Sequence, residues 1–259
     1  MVKIKNSAVF ITARTASTRL PNKCLLKIND KTVIEHIIYR AKQIKNAEKI
    51  ILCTTTDRAD DILETIGLQN EILIYRGSVK DKLQRWKEAC ETYAIENFVT
   101  FDADDLFCEP VLNQLAIKQL NEDDVDFMHS DDVVPGAFTY AIKYKALKKV
   151  CSIKDTDDTE MMWPFFMDTG LFKIRKLQAD NLIDYSSKGL RITLDYIEDF
   201  NFFKEVFEKM KITDNSISLI EIIKFLDKNP SLKDLNYFRE QEWAMNQKNK
   251  INLSISNND

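Results

Sequence analysis

Histidine is nearly missing from this chain of 259 residues; only His36 and His129 occur. A Ser–His–Asp triad or a histidine-based metal centre is therefore close to excluded by count alone. Cysteine is sparse and irregular. Cys24, Cys53, Cys90, Cys108 and Cys151 form an odd set without a CxxC pair, which indicates neither a disulfide framework nor a zinc site. A reducing, cytoplasmic setting is the expectation. No run approaches the roughly 20 apolar residues that a membrane-spanning helix needs. The basic start MVKIK leads into an apolar run that Arg14 cuts short, with no small-residue cleavage site, unlike a secretory leader. Glycine is limited to five positions, and neither GxxxxGK[ST] nor GxGxxG is present. Charge of one sign is not in excess either: a formal −4 gives no reason to expect a nucleic-acid partner, so any bound anion must be held locally.

What is present describes a globular protein, with 44% hydrophobic and 30% charged residues. Short apolar runs rich in β-branched or aromatic residues at 8–12, 49–54, 71–75 and 97–101 read as buried strands. Between them, 31–45 carries Val33, Ile34, Ile37, Ile38, Ala41 and Ile44 at helical spacing, with Thr32 and Glu35 placed as a capping box. Residues 81–94 repeat the pattern with Leu83, Trp86, Ala89, Cys90 and Tyr93. This alternation predicts an α/β fold, a three-layer sandwich with a mostly parallel twisted sheet, Rossmann-like in plan. Further strands are expected at 125–130 and 164–174, and helices at 195–211, with Tyr196, Phe200, Phe203, Phe207 and Met210 on one face, and at 218–230. One domain over 1–245 is expected, followed by a polar tail, 246–259, whose composition predicts fraying.

Three clusters carry possible chemistry. The segment FITARTASTRLPNKCLL gathers Arg14, Arg19 and Lys23 with the hydroxyls of Thr15, Ser17 and Thr18 at the end of the first strand. Such a loop suits a polyphosphate, because Arg, Lys and backbone amides all neutralise or cradle oxygens; a solvated cationic loop has the same composition. In TFDADDLF, Asp102 and Asp104 would point one way from an extended strand end and suit Mg²⁺, or else cap a turn. Asp195 opens the phenylalanine-rich helix with Glu198 at capping-box spacing, so an N-cap explains it as readily as a ligand does. The carboxyl ends of parallel strands, where ligands bind, bring the first two clusters to one rim.

Taken in order, ITARTASTRLPNKCLLKIND, YRGSVKDKLQRW, FDADDLFCEP and LRITLDYIEDFNFF resemble the motifs of the bacterial cytidylyltransferases that activate acidic sugars, the acylneuraminate and 3-deoxy-manno-octulosonate type, and most of all their spore coat polysaccharide branch. The resemblance covers about residues 7–210. It implies a nucleotide-diphospho-sugar transferase-like fold and transfer of CMP from CTP to an acidic acceptor, with release of pyrophosphate, for surface glycan synthesis. It implies Arg14, Ser17, Thr18, Arg19 and Lys23 around the triphosphate, with Arg14, Lys23 and Asp104 catalytic and Asp104 and Asp195 on Mg²⁺. It further implies Thr12, Ala13, Thr54, Thr55 and Thr56 facing the cytosine, and Arg85 and Asp102 near the nucleotide. A homodimer paired through 130–175, an acceptor-side subregion, is implied too, and Trp163, Phe165 and Phe166 are the apolar residues expected to serve it. The chain departs from the family pattern at Ala103–Leu106, where Gly-Asp-Cys-Pro is usual, at Ile197 in place of proline, and at Asp102 in place of a neutral residue. A metal-dependent glycosyltransferase and a catalytically silent nucleotide-binding relative are the alternative readings.

Overall fold

The structure, a computed structural model, describes residues 6–256; residues 1–5 and 257–259, included in the expected domain and tail, lie outside them. In chain order the strands are β1 (Ser7–Thr12), β2 (Lys27–Ile28), β3 (Lys31–Thr32), β4 (Lys49–Thr55), β5 (Leu73–Gly77), β6 (Asn97–Asp102), β7 (Phe127–His129), β8 (Ala141–Lys143) and β9 (Ile174–Lys176). The helices are α1 (Val33–Ala41), α2 (Asp61–Gln69), α3 (Lys82–Tyr93), α4 (Pro110–Glu122), α5 (Tyr144–Ile153), α6 (Pro164–Met167), α7 (Ile197–Lys209), α8 (Leu219–Lys228), α9 (Pro230–Lys233) and α10 (Glu240–Asn249).

Seven strands form one sheet in the order β5-β4-β1-β6-β8-β7-β9, in which only β8 runs against the rest; β2 and β3 make a separate hairpin. Strand alternation decides the layering. Ala8 and Phe10 of β1 pack with Trp86 of α3 and Leu147 of α5, while Val9 and Ile11 pack with Ile34 and Ile38 of α1 and with α4, α7 and α8. All four β1 side chains are fully buried, which is why the strand reads as an unbroken apolar run. The capping box at Thr32 and Glu35 forms, with the Glu35 carboxylate accepting from the Thr32 amide at 2.7 Å. After β1 the chain moves outward to β4 and β5, then returns to β6 on the other side of β1. This reversal opens a crevice beyond the carboxyl ends of β1 and β6.

Four expectations are corrected. Residues 164–174 do not form one strand: Pro164 starts the short helix α6 and pairing resumes only at Ile174, consistent with proline's fixed φ at the first helical position. Phe165 and Phe166 are buried against Phe127 and the α5 face, so they cannot supply an apolar contact to a second copy. The polar stretch from 246 is not frayed through residue 256. Helix α10 runs to Asn249, Ile255 pairs with Lys154 in an antiparallel bridge, and the Ser256 amide donates to the Ile153 carbonyl at 2.7 Å. The expected aromatic stripe also shifts: Phe202, Phe203, Val206 and Phe207 are the buried face of α7, whereas Phe200 and Met210 are half-buried.

Candidate active site

The loop after β1 is held from behind. The Asp60 carboxylate, 2% exposed, accepts from the Thr15 amide and the Thr15 hydroxyl, both at 2.7 Å, and from the Thr55 hydroxyl. The loop then closes on itself, Ser17 and Asn22 both donating to the Thr15 carbonyl. Thr55 thus braces the loop through Asp60. Thr54 is wholly buried, Thr56 is exposed with its amide on the Gly77 carbonyl, and none of the three threonines lines the cleft.

Every other expected site residue does line it. Thr12, Ala13, Arg14, Ser17, Thr18, Arg19, Lys23, Arg85, Asp102, Asp104 and Asp195 surround one cavity of about 1110 Å³. Lys23 joins two of its aspartates, Asp104 and Asp195. Its ammonium donates to Asp104 Oδ2 at 2.6 Å, to the Leu194 carbonyl at 2.7 Å and to Asp195 Oδ1 at 3.1 Å. Burial opposes the charge on Lys23, but Asp104 and Asp195 outweigh it and hold the pKa above the ordinary lysine range. Burial is also the chief influence on Asp104 and Asp105, raising both, and neighbouring carboxylates add to it.

Asp195 is not the N-cap of α7. The N-cap position is Tyr196, and Asp199, three residues on, reaches back so that its Oδ2 accepts from the amides of Asp195 and Tyr196 at 2.8 and 2.9 Å. Asp195 is thus released to pair with Arg19, Lys23 and Arg191, the last at 2.9 Å. Burial would raise its pKa; Lys23, Arg19 and Arg191 together carry it well below the usual carboxylate range. Arg191 is fully buried, holding Asp199 at 3.0 Å and Glu240 of α10 at 3.2 Å. Sequence reading passed over Arg191, although its spacing of four from Asp195 was a visible signal. It also passed over Lys82, whose ammonium holds Asp102 at 3.1 Å, and Glu160, which pairs with Arg14 at 2.9 Å.

Helix α3 contributes Lys82 and Arg85 to the cavity wall. Trp86 donates its indole N–H to the Thr12 hydroxyl at 3.0 Å, and the Arg85 guanidinium, 3% exposed, donates to the Ser78 carbonyl at 2.6 Å while its Nε has no partner. Gly136 borders the acidic turn with φ +93°, and a Cβ there would lie 2.8 Å from the Ile192 carbonyl and 3.1 Å from Asp105 Oδ1. Only glycine fits so close a backbone approach. Among the described residues no three His, Cys, Asp or Glu side chains form a ready-made metal cage. Two carboxylates meeting on one ammonium nevertheless suit an ion that takes one or two protein carboxylates and completes its shell with water and phosphate.

Residues 8–250 match the family model described as cytidylyltransferase. The chain belongs to the cytidylyltransferase family. A protein described as uncharacterised in Methanocaldococcus jannaschii is 28% identical over 87% of this chain and 92% of its own length. The spore coat polysaccharide biosynthesis protein SpsF of Bacillus subtilis is 23% identical over 87% and 96%. A cytidylyltransferase structure from Leptospira borgpetersenii superposes with TM-score 0.79 at 25% identity, covering 88% of this chain and 96% of that one. The CMP:2-keto-3-deoxy-manno-octonic acid synthetase, solved with CTP, shares the fold at TM-score 0.62 and 15% identity, over 80% and 100%. This cytidylyltransferase is thus a CTP-dependent nucleotidyltransferase with the α/β sheet of its family.

Proposed function

We propose that the chain transfers CMP from CTP to an acidic acceptor, a sugar acid such as a nonulosonate or a related acid or phosphate, for surface glycan synthesis. The observation that carries this reading is the meeting of Asp104 and Asp195 on Lys23 beside Arg14 and Arg19, at the carboxyl rim of β1 and β6. Similarity to SpsF, a spore coat polysaccharide biosynthesis protein, supports the glycan setting.

In this reading an acceptor oxygen attacks the α-phosphorus of CTP, its bond to the pyrophosphate oxygen breaks, and the acceptor proton passes to solvent. Arg14, Arg19 and Lys23 bind the triphosphate, and Ser17 and Thr18 offer hydroxyls to it. Asp104 and Asp195 would hold Mg²⁺, which when bound supplies neutralisation of phosphoryl charge. Ala13 and Thr12, the latter held from behind by Trp86, orient the nucleoside, with Arg85 lining the same side from α3. Lys82 keeps Asp102 paired, so that carboxylate adds little repulsion against the nucleotide. Catalysis is then positioning and charge neutralisation by preorganised groups. A homodimer stays part of the proposal, without Phe165 and Phe166 in its interface.

The test is pyrophosphate release from each of the four NTPs against sugar acids, sugar phosphates and phosphonates. Release with CTP and an acidic acceptor is expected. Release that needs a nucleotide sugar, or none with any acceptor together with equal binding of all four NTPs, would remove the reading.

A further inference from the structure

The C-terminal segment roofs the cleft. Helix α10 is tied at its start to the Asp195 side, through Glu240 on Arg191 and Trp243 under the same guanidinium at 5.0 Å. Beyond the helix, Asn252 donates to the Thr156 hydroxyl at 3.3 Å and Ser254 accepts from the Asp155 amide at 2.9 Å, which ties the segment to the opposite bank. Between these anchors Gln247, Lys248 and Lys250 line the cavity with the loop cations.

The charges of that cavity divide unequally. Lys23 and Arg19 are held by Asp195, Lys23 also by Asp104, Arg14 by Glu160 and Lys82 by Asp102. Lys250 has no ion-pair partner among the described residues. Although it reaches solvent, packing and the facing guanidiniums of Arg19 and Arg14 lower its pKa against the pull of Glu160 and Asp195. A cation that lines a cleft near other cations and has no counter-charge of its own marks a place for an anion. A triphosphate brings about four negative charges at neutral pH, the terminal phosphoryl alone close to two.

We infer that Lys250, carried over the cleft by the C-terminal segment, binds the β,γ-phosphoryl oxygens of the nucleotide and the departing pyrophosphate from the side opposite Arg14 and Arg19. The inference rests on the CTP reading above. Its placement also explains the composition of the segment: residues that roof a charged cleft are polar because they face a ligand.

The test is calorimetric titration of the full chain, unaltered or carrying Lys250→Gln or Lys250→Arg, with inorganic pyrophosphate, CTP and CMP, each with Mg²⁺. In Lys250→Gln, pyrophosphate and CTP should bind about tenfold more weakly, the loss of one charge-assisted hydrogen bond, while CMP stays within about twofold and Lys250→Arg recovers most of the pyrophosphate affinity. Unchanged pyrophosphate binding in Lys250→Gln would overturn the inference, as would a parallel loss of CMP, which would make the residue part of the roof's packing only. If unaltered protein binds the four NTPs equally, the cytidylyl reading fails, and the pyrophosphate comparison still decides Lys250.

Discussion

Lys23 commits all three of its N–H groups, to two carboxylates and one carbonyl, so its position is fixed before any nucleotide arrives. A cation preorganised in this way acts on charge that develops in the transition state. Lys23→Ala should therefore lower kcat by about 10²–10³, a larger effect than its loss in apparent CTP affinity; steady-state kinetics separate the two, and a changed KM with unchanged kcat would reduce Lys23 to a tether. Asp195 makes a different prediction. Its pKa lies below the unfolded value, so the stability it contributes is complete above about pH 4 and is lost as pH falls toward its folded pKa. Asp195→Asn should cost about 3 kcal/mol at neutral pH, because Arg191 and its neighbours lose a buried counter-charge. It should also unfold with a shallower acid dependence than the unaltered chain below about pH 4, measured by circular dichroism. An unchanged acid profile would show that the pairs are not made in solution.

At the scale of elements, the strand-helix alternation of the first half was legible because both faces of the sheet are buried, and continuous apolar runs with a capping box carry that information locally. The expected loop cations and aspartates converge, since β1 and β6 are neighbours and end at the same rim. That Thr54–Thr56 lie off the cavity lining is not legible locally, because the carboxylate that takes Thr55 for the loop, Asp60, comes several residues later. The roof was illegible for a physical reason. A polar segment facing solvent and a polar segment facing a charged cleft have the same composition. The Asp60 clamp is testable. Asp60→Ala leaves the Thr15 amide and two hydroxyls without an acceptor and should cost about 2–3 kcal/mol in urea unfolding, with CTP affinity falling as the loop loses its fixed course. A drop in stability with unaltered CTP affinity would mean that the loop keeps its shape without the clamp.

At the scale of the whole molecule, the described chain contains no helix long and apolar enough to cross a membrane, and the cationic loop sits in a protein of formal charge −4. CTP with Mg²⁺ should raise the melting temperature by several degrees at about 100-fold excess over Kd, a stabilisation near 2.7 kcal/mol. ATP, GTP and UTP should do less, and chelation should remove most of the gain. Equal shifts for all four nucleotides would contradict a cytosine-selective site. The mutual pairing of Lys23, Arg19 and Arg14 with Asp104, Asp195 and Glu160 has one more effect, on what the protein ignores. An ion that brings a single phosphate must break those pairs and can replace only one of them, whereas a metal-bound triphosphate replaces several at once. The resting site is in this sense a filter: abundant orthophosphate should be a poor inhibitor, and occupancy should follow the nucleotide pool rather than the phosphate pool.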